Sequence, residues 1–484
     1  MTQADARDPL GLAEDAPLLR AYLAALDRQA AGEHPFFTPG HKGSTALTGV
    51  VAGDTSMVGG VDTIKFRYGW LAEAERRAAT LFGADTCRFS VGGSTHCNQA
   101  LALAVGAPGD TIVVSRTVHR SVLLGLVLAG LTPVWVQPEV DQGTGLSTGF
   151  APQRVAQALT AHPDAVAVFL GDPSYVGTFS DLREHARVAH EADVPLLVDA
   201  AWAAYFGFHP DLPDHALTAG ADAMVTSAHK TLPAYSQGAM VLARVTRINP
   251  ARLARAFEAT HTTSPAGAIM ASLDATRALL EHHGERLLGG LLSAVSEARA
   301  RLRAIEGLHV LEGPGVDPLK LAIALAGTGA HGVEVESDLI EAGVPVEMAD
   351  RDTIVAVVTV ADDAAALRRL VDELSRSIGR RRGAPRKVET AASWIVEPHM
   401  VVAPREAFFG LTEAVPVAEA VGRISAELIA PYPPGVPVLA PGELVTTEAL
   451  TALTQAKDDG VRIAYATDPQ LATLEVLARA VDLG

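Results

Sequence analysis

Two apolar runs end in the residues with the most chemistry to offer. Pro195-Leu196-Leu197-Val198-Asp199 ends in a carboxylate, and Ala221-Asp222-Ala223-Met224-Val225-Thr226-Ser227-Ala228-His229-Lys230 leads into a lysine. An amine beside a buried run needs its charge paired or removed. A carboxylate in the equivalent place either caps a helix or faces a cationic ring. The two positions stand 31 residues apart, room for one strand–helix–strand step. Upstream, Phe89–Gln99 reads Phe-Ser-Val-Gly-Gly-Ser-Thr-His-Cys-Asn-Gln. Glycines let the backbone approach an anion, and the start of a helix carrying Ser94 and Thr95 favours a phosphate. A helix-capping turn without a ligand fits the same letters. No lysine follows the glycines, as a Walker loop requires.

Together, the phosphate cradle, strand-end Asp199 and strand-end Lys230 point to pyridoxal 5′-phosphate (PLP). Lys230 would form the covalent link to its aldehyde. Asp199 would pair with the pyridinium nitrogen and keep it protonated, which makes the ring an electron sink. His119, just after the run Thr111–Ser115, is placed to stack on the pyridine. The chain has six lysines: Lys42, Lys65, Lys230, Lys320, Lys387 and Lys457. His41-Lys42 mimics His229-Lys230, but Lys42 sits in the turn Thr38-Pro39-Gly40-His41-Lys42-Gly43, ahead of the sheet. It is expected at the site mouth or a subunit contact.

The elements that must position these groups follow from the rhythm of residues 70–245. Short apolar runs recur at Thr111–Ser115, Pro133–Gln137, Ala165–Leu170, Pro195–Asp199, Ala221–Thr226 and Gly238–Ala243. They lack polar alternation, as strands buried on both faces do. Helical stretches such as Arg183–Ala192 separate several of them, which predicts an α/β fold with a mostly parallel central sheet covered by helices. In such sheets ligands bind beyond the carboxyl ends of the strands, where Asp199 and Lys230 fall. A long helix over Ile269–Ile305 precedes a smaller α/β unit, with strands at Lys320–Ala326 and Thr353–Thr359 and helices at Gly332–Ala342 and Ala364–Ser377. The basic run Arg380–Lys387 reads as a solvated linker. A third segment follows, with a Pro-rich turn (Pro431-Tyr432-Pro433-Pro434-Gly435) and a terminal helix. The predicted division is an N-terminal arm over 1–69, a PLP-binding large domain over 70–305, a small α/β domain over 306–382 and a C-terminal domain over 383–484.

At 484 residues the chain exceeds one ordinary core, and 48% hydrophobic with 20% charged residues is a globular balance. The net charge of −17 disfavours a nucleic-acid partner, and an acidic surface suits attraction of a cationic small molecule or simple solubility. Residues 1–18 carry no basic stretch leading into an apolar run, and no apolar segment approaches the roughly 20 residues of a membrane span. Two cysteines, Cys87 and Cys97, make neither a disulfide framework nor a zinc site. A cytoplasmic protein without metal or membrane association is expected.

Several motifs resemble those of the Orn/Lys/Arg decarboxylase family, which are fold-type-I PLP-dependent enzymes. Thr38–Gly43 is similar to that family's N-terminal signature, Asp172-Pro173-Ser174-Tyr175-Val176-Gly177 to its Asn/Asp-Pro-Thr-Tyr-x-Gly, and Ser227-Ala228-His229-Lys230 through Ser236-Gln237 to its cofactor-lysine signature. Thr262-Thr263-Ser264-Pro265 resembles the stretch that reaches a neighbouring subunit's phosphate. Arg423–Glu427 through Pro431–Pro437 resembles the C-terminal domain. Pro233, Gly238 and the order Gly93-Ser94-Thr95 depart from the usual pattern without removing a chemical group. The resemblance implies that Ser94, Thr95, Ser227, His229 and Ser264 hold the phosphate, that Ala201 packs on the ring face opposite His119, and that Trp202 lies near the ring hydroxyl. It implies the family's short form, a homodimer at least, and decarboxylation of a basic L-amino acid (arginine, lysine or ornithine) to CO2 and a polyamine-type amine. Lys230, His229, Asp199 and His119 are the implied catalytic residues, with His229 or Lys230 returning a proton to Cα. An acidic residue should meet the substrate's distal charge; Glu347, in Val344-Pro345-Val346-Glu347-Met348, is the candidate, a structural surface carboxylate being the alternative reading. An aminotransferase or other lyase of the same fold type, or a non-catalytic homologue, is the alternative.

Overall fold

The computed structural model describes residues 7–42, 44, 49–57, 61–62, 69–388, 396–432, 435–458 and 460–478. Gly43, Lys65, Pro433 and Pro434 of the motifs above lie outside the described residues. The fold is α/β with a mostly parallel central sheet, built from β1 (Thr86–Ser90), β2 (Thr111–Ser115), β3 (Thr132–Val136), β4 (Val168–Gly171), β5 (Leu196–Asp199), β6 (Ala223–Thr226) and β7 (Ala239–Ala243). The chain divides into two compact units, Met1–Ala104 with Asp199–Gly289 and Val105–Val198 with Gly290–Gly484. The cut falls inside β5, before Asp199.

In the first unit, β7 runs antiparallel to both β1 and β6. Every residue of β6 and β7 is buried, which is why neither shows polar alternation. β1 (Thr-Cys-Arg-Phe-Ser) was not anticipated as a strand, because Arg88 interrupts its apolar character. Glu75 resolves that conflict: its carboxylate accepts from Arg88 Nη1 at 2.9 Å and from the buried Phe89 N–H at 3.0 Å. The expected N-terminal arm contains the helix Pro17–Ala30. Its start is anchored where Leu18 N–H donates to Asp274 at 2.8 Å, beside the fully buried Arg277, which also pairs with Asp274.

In the second unit, β2 runs parallel to β3 and β4. The helix Leu182–Glu191 starts where the Asp181 carboxylate accepts the Arg183 and Glu184 N–H groups, as N-caps do. A separate antiparallel sheet follows the order His309–Val310, Lys320–Ala324, Thr353–Val357, Met348–Ala349, with the helices Gly332–Glu341 and Ala364–Arg381. The run Arg380–Lys387 is exposed except for Arg386 and leaves the helix after Arg381, but several of its charges are paired. Arg380 and Arg381 finish a helix and pair with Asp338, and Arg386 donates to Asp352, Gly329 O and Ala330 O. Thr447–Asp458, the last helix among the described residues, is not terminal. Strands Arg462–Ala464 and Thr473–Leu477 follow it and pair with Ala430–Tyr432 and Thr412–Pro416. Around them lies a core of its own that includes Ile429, Val438, Leu453 and Val476.

Candidate active site

The first unit gathers nearly all the residues singled out above. Asp199 ends β5 and is 6% exposed. Its Oδ2 accepts from Asn98 Nδ2 at 2.7 Å and its Oδ1 from Ala201 N–H at 3.2 Å. A carboxylate has about four lone-pair sites, so this one is oriented by two donors and keeps capacity for a third. Asn98 belongs to the glycine motif, where its residue type alone assigns it no role. It lies one helical turn after Ser94 on the helix Gly93–Val105, and the i, i+4 spacing puts both on one face; that spacing was the available signal.

Lys230 lies on a single helical turn, Ala228–Thr231, between β6 and β7. Its Nζ sits 4.3 Å from the centre of the Trp202 ring, a cation–π contact that keeps a half-buried ammonium in place. The adjacent His229 directs Nδ1 at Gly238 O, 2.9 Å away. A carbonyl only accepts, so Nδ1 carries the hydrogen and Nε2 is the nitrogen left for other chemistry. Burial first, and the Lys230 charge second, push the imidazole below its ordinary pKa.

The glycine turn is folded by its neighbours. Ser90 Oγ accepts from Gly92 N–H at 3.0 Å and lies 2.8 Å from His96 Nδ1. Gly93 adopts φ +70°, and a Cβ there would meet nothing within 4 Å. Its N–H donates to Gln237 O at 2.9 Å, tying the turn to the stretch after Lys230. Ser94 is buried and Thr95 exposed in the first turn that follows. Ser227 Oγ is buried with no hydrogen-bond partner among the described residues. An orphaned hydroxyl at that depth is costly unless a ligand satisfies it, and open space at Gly93 with a helix N-terminus beyond it suits a phosphate. The residues present therefore fit PLP.

Ala201 is buried and Trp202 half-buried. Ser264 is exposed, its N–H donating to Thr262 Oγ1 at 3.2 Å. His119 belongs to the second unit, where it is the N-cap of the helix Arg120–Ala129, with Nδ1 accepting from Ser121 N–H at 3.2 Å. Also in that unit, Glu347 is exposed and accepts from Tyr175 OH at 2.9 Å. In the turn region, Lys42 Nζ donates to Phe37 O at 2.5 Å and His41 Nε2 lies 3.1 Å from Asp54.

This fold, with a lysine after one strand and an aspartate at the end of another, defines a fold-type-I PLP-dependent enzyme. Residues 17–315 match the Orn/Lys/Arg decarboxylase major domain and residues 387–458 the C-terminal domain of the same family. The arginine decarboxylase of Bacillus subtilis is 32% identical over 463 residues, covering 91% of this chain and 94% of that protein. Among solved structures, the constitutive lysine decarboxylase of Escherichia coli superposes with a TM-score of 0.79 at 20% identity, covering 96% of this chain and 82% of the other. An SPT solved with PLP aligns at TM-score 0.53 and 16% identity, over 76% of this chain and 86% of that one. The chain belongs to the Orn/Lys/Arg decarboxylase family. It is a PLP-dependent decarboxylase of a basic amino acid, which sets aside the aminotransferase and non-catalytic alternatives.

Proposed function

We propose that the substrate is L-arginine, converted to CO2 and its amine, with Lys230 as the lysine that carries the cofactor. The observation that carries the site assignment is the buried Asp199 carboxylate, fixed by Asn98 and by the Ala201 N–H. Arginine is favoured over lysine because relatives named arginine decarboxylase reach 29–32% identity across 94–96% of their own length. Those named lysine decarboxylase stand at 24–26% across 74%.

Bound PLP supplies an electron sink for the electrons of the Cα–carboxylate bond. Asp199 would hold the proton on the pyridine nitrogen, and Asn98, which donates to its Oδ2, stops the carboxylate from turning away. Ser94, Thr95 and Ser227 would donate hydroxyl hydrogens to the phosphate, joined by His229 and, from a second subunit, by Ser264. In this reading His119 would stack on the pyridine, Ala201 would pack on its opposite face and Trp202 would lie near the ring hydroxyl. Lys230 Nζ is the better proton donor to Cα, because His229 Nε2 first has to gain a proton against a lowered pKa. Glu347, steadied by Tyr175, is the residue we assign to the distal guanidinium.

The Thr262–Ser264 role makes a homodimer the minimum assembly, and we place the enzyme in the cytoplasm and in polyamine formation. No helix among the described residues is long and apolar enough to cross a membrane. We also retain the division at 1–69, 70–305, 306–382 and 383–484 as a proposal. The test is a panel of arginine, lysine and ornithine with CO2 and amine measured together. Arginine should give the highest kcat/KM with equal yields of both products; a preference for lysine or ornithine overturns the assignment.

A further inference from the structure

We infer that the described C-terminal residues 396–432, 435–458 and 460–477 form a clamp on the loop and helix that carry His119, with Arg116 and Glu443 as its central positioning pair. The inference rests on His119 being the residue that meets the cofactor ring.

Arg116 follows the last residue of β2 directly and precedes His119 by three positions. It is 1% exposed, and its guanidinium makes four hydrogen bonds to the C-terminal segment and a contact with Trp135. Nη1 and Nη2 donate to the two carboxylate oxygens of Glu443 at 2.5 and 2.9 Å. Nε donates to Pro437 O and Nη2 to Val438 O, each at 3.2 Å. The group also lies 4.7 Å over the Trp135 ring. From its own side, Glu443 is held by the Ala440 N–H at 2.8 Å. A buried ion pair contributes little net stability compared with apolar packing of the same volume. What a two-pronged pair does supply is direction, and here it fixes the exit of the chain from β2.

The loop between Arg116 and His119 passes closely over the end of β4. A Cβ at Gly171 would come within 3.3 Å of Val118 Cα, and Gly171 N–H donates to Ser115 Oγ at 2.9 Å. The helix that His119 caps is then held by the same segment along its length. Arg120 stacks 4.5 Å over the Tyr465 ring. Leu123 packs with Leu428 and Ala440. Arg405 donates to Val127 O and Leu128 O at 3.2 and 2.9 Å, carbonyls at the helix C-terminus, where intrahelical donors run out. Because His119 Nδ1 is committed to the Ser121 N–H, the orientation of the ring follows the position of the helix. The C-terminal segment therefore sets where that ring stands. Glu443, Arg116 and Tyr465 are positioning residues that act through His119.

The experiment is a double-mutant cycle on the full-length protein. Glu443→Gln and Tyr465→Ala are each made alone and combined with His119→Ala. Tyr465 is partly exposed, so its variant carries the cycle should Glu443→Gln fail to fold. Apoprotein is titrated with PLP, the visible circular dichroism of the bound cofactor reports how its ring is held, and thermal unfolding of apoprotein reports the fold alone. Each clamp variant should weaken PLP binding, diminish the visible dichroism and lower kcat about 10- to 100-fold, the scale of a reacting group misplaced by about 1 Å. In the His119→Ala background the same variants should add almost nothing, because coupled positions are not additive. If the clamp variants lower the unfolding temperature but leave PLP affinity and dichroism intact, or if their effects add to that of His119→Ala, the clamp role is overturned. If His119→Ala alone changes neither affinity nor dichroism, the underlying reading of His119 fails first, and that result is distinguishable from the others.

Discussion

Asp199 shows how much of the role proposed for it depends on neighbours in space. Its place at the end of an apolar strand is written in Pro-Leu-Leu-Val-Asp, but its orientation comes from Asn98, 101 residues earlier. Asp199→Ala should retain the fold and some PLP while kcat falls about 10²–10³-fold, the scale of losing one electrostatic contact to a reacting centre. Asn98→Ala should give a smaller loss in the same direction, read by steady-state decarboxylation. Asp172 makes a different prediction. Burial pushes its carboxyl up to about 7, against hydrogen bonds from Ser180 that pull it down. A raised folded-state value means that the contribution to stability is present at low pH and is lost as pH rises through about 7, where the buried group must ionise. Asp172→Asn cannot ionise, so its unfolding temperature relative to the unmodified protein should climb between pH 5 and 8. A flat difference over that window would place the Asp172 pKa elsewhere.

Elements were legible where one face or both faces were uniformly apolar. β2 was read with its observed bounds, and β5, β6 and β7 within two residues, because buried strands carry continuous Val, Leu and Ala. β1 was not, since the partner that accommodates Arg88 lies on the helix Trp70–Leu81 and no local pattern announces it. The same reason explains why the pairing of Arg380, Arg381 and Arg386 with Asp338 and Asp352 was not legible in an exposed basic run. It also explains Thr473–Leu477, too short and too mixed to declare itself without Thr412–Pro416 alongside. Glu75→Ala tests the first of these. It strips a buried N–H and a partly buried guanidinium of their acceptor and should cost about 2–3 kcal/mol by urea unfolding. A change under about 0.5 kcal/mol would mean that Arg88 and Phe89 find other partners.

On the scale of the whole molecule, the site was readable as chemistry before it was readable as geometry. A lysine, an aspartate and a glycine-hydroxyl turn identified PLP, because few other cofactors need all three. The sequence does not announce the dependence on distant chain, such as Asn98 on Asp199 or Glu443 on Arg116, because such pairs are made by folding. The exposed Thr262–Ser264 segment carries the expectation of a second subunit. The proposed homodimer predicts that dilution lowers the sedimentation coefficient and releases PLP together, read by sedimentation and cofactor fluorescence; a monomer that keeps full cofactor affinity would remove Ser264 from the phosphate site.

The most direct test concerns the attachment itself. Holoenzyme is reduced with borohydride to make the lysine–cofactor bond permanent, digested, and the labelled peptide sequenced by mass spectrometry. The label should fall on Lys230, and Lys230→Ala protein should carry none and lack visible cofactor absorbance. A label on Lys42 or any other lysine, with Lys230 unmodified, would contradict the account.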